Sequence, residues 1–195
     1  MLIITGELPD SHSRERESRE FGRITTHGLW QTTPMLEWTE VLFVDGLKLR
    51  LVASDSGIRA IEFTPAKPVD GHRQDANRLL REAASQLHAY FARDLRRFQL
   101  PLDLHGTEFQ KRVWRELEKI PYGETRSYAQ IAAAIGSPQA VRAVGAANGS
   151  NPAAIVVPCH RVIGSGGRLT GYGGGLPLKK RLLELEGAWT MALRL

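Results

Sequence analysis

The stretch Ser127–Gly149, SYAQIAAAIGSPQAVRAVGAANG, decides how the second half of the chain folds. Two alanine-rich runs flank Gly136-Ser137-Pro138. Ser127 with Gln130 makes a capping box: the hydroxyl accepts from the N3 backbone N–H, and the N3 side chain reaches back to the cap. Gly136 ends the first run, because glycine accepts the left-handed conformation at a helix end. Ser137-Pro138 reads as the start of the next helix, with serine as N-cap and proline in the first turn. The result is helix, tight turn, helix, in roughly the length of a helix-turn-helix, with side chains small enough for close packing. The pattern by itself does not specify a ligand, since many helical hairpins bind nothing.

Working upstream, Thr107 with Gln110 is a second capping box, opening a helix with Phe109, Val113, Leu117 and Ile120 on one face. Pro121 and Gly123 stop it. RRFQLPLDLHG, ending at Gly106, reads as an extended linker. A helix is expected from about Asn77 to Ala92, with Leu79, Leu80, Ala83, Leu87 and Phe91 at helical spacing. From Trp38 to Phe63 the pattern is three strands, joined by a type I′ turn at Asp45-Gly46 and a second turn at Ser56-Gly57. Residues 1–36 are charged and apolar-poor, and are expected to form a flexible tail. The expected fold class is α/β in two small domains. An N-terminal sheet-and-helix domain (37–98) and a linker (99–106) precede a C-terminal helical domain (107–190) with a helix-turn-helix.

Composition narrows the class. The 195 residues are 42% hydrophobic and 24% charged, ordinary for a soluble protein. No apolar run approaches the roughly 20 residues a membrane helix needs, and the apolar part of MLIITGELPDSHSRERE is too short for a secretory signal. One cysteine makes neither an internal disulfide nor a Cys-rich zinc site, so a reducing, cytoplasmic setting is expected. Between Thr107 and Gly187, Lys and Arg outnumber Asp and Glu by five, which equals the net charge of the whole chain, +5. Nucleic acid is a reasonable partner for such a segment; on charge alone a solvated surface is an equally good account.

The cysteine, Cys159, lies in AIVVPCHRVIGSGG, residues 154–167. A lone cysteine is most often a small buried hydrophobe. Its neighbours argue otherwise: Pro158 breaks regular pairing, His160 brings a base, and Arg161 a fixed positive charge. The thiolate is the nucleophile, and cationic or basic neighbours promote it. The glycines that follow, through TGYGGG at 170–175, offer bare backbone suited to a wall against a flat ligand, or else a floppy loop. Glu186 ends the helix PLKKRLLELEG at the edge of a face made by Leu178, Leu182 and Leu185. A carboxylate in the last turn is disfavoured by the helix dipole and wants a partner. His160 is a candidate, giving a Glu–His–Cys chain; a surface ion pair with lysine is the simpler alternative.

PCHRVIGSGG, GYGGG and LLELEG together resemble the active-site signature of the O6-alkylguanine-DNA alkyltransferases. IPYGETRSYAQIA and QAVRAVGAANGSNPAAIVVPCHRV resemble the same family, strongly over 107–187 and more weakly over 38–98. The resemblance implies that the helix-turn-helix is winged-helix-like and the cysteine site buried within that domain, that Cys159 accepts the alkyl group, that His160 draws the thiol proton through a water, that Glu186 holds the imidazole, and that Asn151 pins the turns around the site. It implies that Tyr128, Val162, Tyr172, Gly173 and Gly174 contact the guanine, and that Tyr128, Arg142 and Ala143 contact DNA, with Arg142 filling the space of a flipped base. The implied partner is double-stranded DNA carrying O6-alkylguanine, with O4-alkylthymine as a second candidate lesion. A monomer without cofactor, metal or membrane attachment is expected. Asn148 and Gly173 depart from some relatives, which carry a large apolar residue and a serine there. Two rivals remain: a Cys-His hydrolase, and a non-catalytic lesion-binding or helix-turn-helix regulatory protein.

Overall fold

The computed structural model describes residues 35–43, 45–64 and 68–189. The expected tail lies outside the described residues except for Met35 and Leu36, and Leu36 is already the first residue of a strand. Strands β1 (Leu36–Leu42), β2 (Lys48–Ser54) and β3 (Gly57–Phe63) form an antiparallel meander. A short strand β4 (Gly71–Arg73), which no periodicity announced, adds in parallel to β1, giving the order β3-β2-β1-β4. Helix α1 (Arg78–Phe91) is capped by Asn77, whose side chain accepts from Leu80 N–H. It lays Leu80, Ala83, Leu87 and Tyr90 onto Leu49, Leu51, Ile58 and Ile61 of the sheet.

Both hairpins differ from the sequence expectation. Asp45-Gly46 is not a two-residue turn: pairing ends at Leu42–Lys48, and Phe43 N–H reaches Leu47 O at 2.8 Å. The Asp45 carboxylate accepts from Leu47 N–H, and Gly46 at φ 82° closes the wider loop, which keeps glycine as the left-handed residue. The second reversal is Asp55-Ser56, because Ser54 already pairs with Gly57. Gly57 serves another purpose: a Cβ there would lie 2.7 Å from Pro101 O. The linker runs that close because it pairs with the free edge of β3, through Ile58 N–H to Pro101 O (2.8 Å) and Asp103 N–H to Ile58 O (2.9 Å). The exposed edge is thereby covered.

The C-terminal part is built from α2 (Glu108–Leu117), α3 (Tyr128–Ala134) and α4 (Val141–Gly149). Both capping boxes form as expected. Helix α4 starts later than Ser137-Pro138 suggested. Residues 137–140 close a separate turn through Ala140 N–H to Ser137 O, and the first helical bond runs from Val144 N–H to Ala140 O. Val113, Trp114, Leu117, Ile131, Val144 and Ala147 fill the space between the three helices. A two-stranded parallel pair, β5 (Arg126–Ser127) with β6 (Val162–Ile163), and helix α5 (Leu176–Leu185) complete the mixed α/β fold. The N-terminal sheet and the C-terminal part meet where Ile61 exchanges hydrogen bonds with Pro152 O (2.9 Å) and Ala154 N–H (3.0 Å).

Trp114 holds α2 to α4: its indole Nε1–H donates to Ala147 O at 2.8 Å in a buried setting. Trp114→Phe removes that donor, leaving Ala147 O to the Ser150 hydroxyl at 3.0 Å, and opens a void, so it is expected to destabilise the protein by about 1–3 kcal/mol. Denaturant midpoints of the two proteins measure this.

Candidate active site

The approach to Cys159 is a tight loop rather than a strand. Asn151 Nδ2–H donates to Val157 O at 2.8 Å, its Oδ1 accepts from Ala153 N–H at 3.1 Å, and Val157 N–H reaches Ala153 O. One side chain thus ties both ends of the apolar run AIVV. Within it, Ile155 is fully buried at φ 73°, a conformation that β-branched residues rarely adopt. Pro158 then delivers Cys159–Arg161 as a single 3-10 turn, closed by Val162 N–H to Cys159 O. Cys159 is buried, with 6% of its surface exposed.

His160 is wholly buried, and its Nε2 lies 2.9 Å from Glu186 Oε1. Arg161 grips the same carboxylate with Nε on Oε2 and Nη2 on Oε1, both at 2.9 Å, while its Nη1 donates to Ile120 O. Tyr90 donates its hydroxyl to Oε1 at 2.6 Å, and Gly123 N–H approaches Oε2 at 3.4 Å. Burial alone would push the carboxyl up, but the hydrogen bonds and charges of His160 and Arg161 hold it at about 2. The buried partner that the helix-end position demanded is therefore His160, joined by Arg161, and not a surface lysine. Burial also pushes the His160 imidazolium down, against the pull of Glu186. With Nε2 on the carboxylate, Nδ1 has no hydrogen-bond partner among the described residues.

The cationic neighbours do not make a resting thiolate. Burial pushes the Cys159 thiol up, outweighing a hydrogen bond from Asn151 and the charge of Lys179. Lys179 is itself fully buried on α5; its Nζ donates to Val162 O (2.5 Å) and Thr170 O (3.0 Å), and burial lowers it to about 8. The buried stripe of α5 is Lys179, Leu182, Leu183 and Glu186, one position round from the Leu178/Leu182/Leu185 face read from sequence. That stripe has the i, i+3, i+4, i+7 spacing of a core-facing helix side, so a lysine and a glutamate at its two ends were a readable sign of buried charged groups in need of hydrogen-bond partners.

Val162, fully buried, pairs with Arg126, and Tyr172 faces His160 with ring centroids 6.4 Å apart. Phe63 of β3, which sequence reasoning missed, packs edge-on against Tyr172 at 5.5 Å. Gly174 sits so close to Leu178 and Phe63 that a Cβ would come within 2.6 Å and 3.1 Å of them, whereas Gly173 is exposed. Tyr128 opens α3 half-buried, its hydroxyl accepting from Thr170 at 3.1 Å. Asn148, buried on α4, reaches Cys159 O at 3.5 Å and leaves its own Oδ1 unpaired among the described residues. The Tyr172 hydroxyl is likewise unpaired among the described residues. Arg142 and Ala143 stand exposed on the solvent side of α4. A separate cleft of about 750 Å³, lined by Arg96, Arg97, Arg115, Glu118 and Lys119 among others, borders the cysteine turn through Val156, Pro158 and Arg161.

Residues 108–188 match the family model described as 6-O-methylguanine DNA methyltransferase, DNA binding domain, and residues 48–104 match its ribonuclease-like domain. A methylated-DNA–protein-cysteine methyltransferase of Methanosarcina acetivorans is 50% identical over 141 residues, covering 71% of this chain and 90% of that protein. One from Mycolicibacterium paratuberculosis is 67% identical over 104 residues, covering 53% of this chain and 63% of that protein; in this match the chain spans just under two thirds of the relative. The crystal structure of Mycobacterium tuberculosis OGT in complex with DNA matches with a TM-score of 0.73 at 47% identity, covering 78% of this chain and 93% of that one. The chain belongs to the 6-O-methylguanine DNA methyltransferase family.

The buried carboxylate yields a prediction. Because Glu186 is held at about 2 against an ordinary 4.5, its stabilisation is complete above about pH 4.5 and is lost as pH falls toward about 2. Glu186→Gln leaves Arg161 buried without its counter-charge and is expected to cost about 3–5 kcal/mol at neutral pH. Unfolding free energies measured from neutral pH down to pH 3 should show a flatter acid decline in the variant than in the wild type.

Proposed function

We propose that this protein takes the alkyl group of O6-alkylguanine in duplex DNA onto Cys159, once per molecule. The observation that carries the reading is the arrangement of His160, anchored on Glu186 through Nε2 while Nδ1 stays unpaired next in sequence to a buried thiol. In this reading the thiol proton leaves through a water to Nδ1. The thiolate then attacks the alkyl carbon, and the C–O bond breaks with its electrons passing to the guanine. Hydrogen bonds from Tyr128 and the pocket backbone stabilise the charge that develops there. Glu186 balances the imidazolium, and a thiol that rests protonated is released as nucleophile only when the relay takes its proton. The product is a thioether, with no group placed to hydrolyse it, so the reaction ends after one equivalent.

The lesion oxygen is shielded in the helix stack, so the base is flipped out at a cost of a few kcal/mol, less for a poorly paired modified base. Residues 107–190 carry the alkyl acceptor and the DNA face, with residues 37–98 behind them. Arg142 takes the place of the flipped base, and Ala143 allows close approach to a minor groove. Val162, Tyr172, Gly173 and Gly174 line the guanine pocket, and Asn151 holds the loop that presents Cys159. The resolved DNA complex of Mycobacterium tuberculosis OGT supports DNA as the partner. O4-alkylthymine fits the same chemistry, and a reducing, cytoplasmic compartment suits a reactive free thiol.

Intact-protein mass after incubation with duplex DNA carrying O6-methylguanine should show one added methyl, located on Cys159. Cys159→Ala should abolish transfer while DNA binding persists. Repeated turnover, or transfer by the Ala variant at the wild-type rate, would exclude this chemistry in favour of a hydrolase or another acceptor. Arg142→Ala should slow reaction with the lesion in duplex at least tenfold more than reaction with free O6-benzylguanine, which needs no flipping. Equal losses would place Arg142 in the pocket or the fold.

A further inference from the structure

We propose that Tyr90, carried by helix α1 of the N-terminal part, is a positioning residue for alkyl transfer, fixing the Glu186 carboxylate and sharing the oxygen on which His160 depends. This rests on the reading of His160 and Glu186 as the relay for Cys159. Tyr90 and Glu186 are 96 residues apart, yet the hydroxyl donates to Oε1 at 2.6 Å, the length of a charge-assisted bond. It is the shortest of the contacts made to Glu186 and comes from the half of the chain that holds no alkyl acceptor. The ring is fully buried and fixed by Phe98 at 5.4 Å and Tyr122 at 6.1 Å, so the hydroxyl has little freedom to point elsewhere.

Oε1 accepts from Tyr90, from His160 at 2.9 Å and from Arg161 Nη2 at 2.9 Å. Donors on one oxygen compete for its charge. Removing the tyrosine hydroxyl leaves more of that charge to His160, which stabilises the imidazolium. The other groups facing the pair are Arg161 from the same turn, Tyr172 from the glycine loop, Lys179 from α5, and Cys159. A Tyr90→Phe substitution touches none of them. Burial and the Glu186 charge push the Tyr90 phenol far up, so it stays a donor throughout the working pH range. Through this one bond the N-terminal part sets the pH at which His160 becomes available as a base.

The test is the single-turnover rate of alkylation by free O6-benzylguanine, from about pH 5.5 to 9, in full-length wild type, Tyr90→Phe and Glu186→Gln. Phenylalanine keeps the ring packing, so Tyr90→Phe is expected to react to one equivalent with the acid limb of its profile moved up by on the order of half a pH unit. An unmoved limb overturns the proposal whatever happens to the absolute rate, because a merely structural tyrosine would lower the rate at every pH alike. If Glu186→Gln also leaves the limb unmoved, it is the relay itself that fails; if only Tyr90→Phe does, the relay stands and this inference alone falls. Should Tyr90→Phe not fold, proton NMR of the wild type decides. A downfield, slowly exchanging Tyr90 hydroxyl that shifts when Cys159 is alkylated is expected, and its absence overturns the proposal.

Discussion

The carboxylate of Glu186 is the point on which the rest of the structure converges. An ionised carboxylate away from water is costly unless its lone pairs are filled. Here they are filled from three directions, on a carboxylate that α5 carries at its C-terminal cap: α1 through Tyr90, the cysteine turn through His160 and Arg161, and the α2–β5 connection through Gly123. The end of a helix is a poor place for an anion. The guanidinium fork and the two hydroxyl or imidazole donors offset that, and they do so only if all four segments sit in register. The cysteine turn is therefore held by the same interaction that closes the fold.

Around this rigid centre the chain carries features that packing alone would not select. Ile155 lies in the left-handed region, the Asn151 side chain replaces the hydrogen bonds a strand would have made, and several buried polar atoms lack partners among the described residues. Unpaired buried groups and backbone outliers are uncommon in native proteins and concentrate at functional sites. His160 Nδ1, Asn148 Oδ1 and the Tyr172 hydroxyl belong to one neighbourhood, linked through the Cys159 turn and its contacts. A thiol that burial keeps protonated is chemically quiet at rest.

The helix-turn-helix is rigid for a simpler reason. Two capping boxes fix where α2 and α3 begin, and Trp114 ties α2 to α4 through Ala147 O. Small side chains on α4 let α2 and α3 approach closely, and they leave Arg142 as a long side chain on its solvent side.

Local chemistry made much of this legible before any coordinates. The capping residues of α2 and α3, the three-strand meander and the position of Cys159 all follow from rules that act within a few residues, and the long motif between Thr107 and Gly187 named the family. What the sequence could not disclose depends on contacts between distant segments. β4 is too short for a period and exists because β1 offers it an edge. The start of α4 shifted because residues 137–140 satisfied their own hydrogen bond first. Tyr90, Phe63 and Lys179 carry no local mark that ties them to the cysteine turn. Only the packing of the N-terminal sheet and α5 against the cysteine turn made them neighbours of the site, since burial, and with it the demand for a partner, is a property of the tertiary fold.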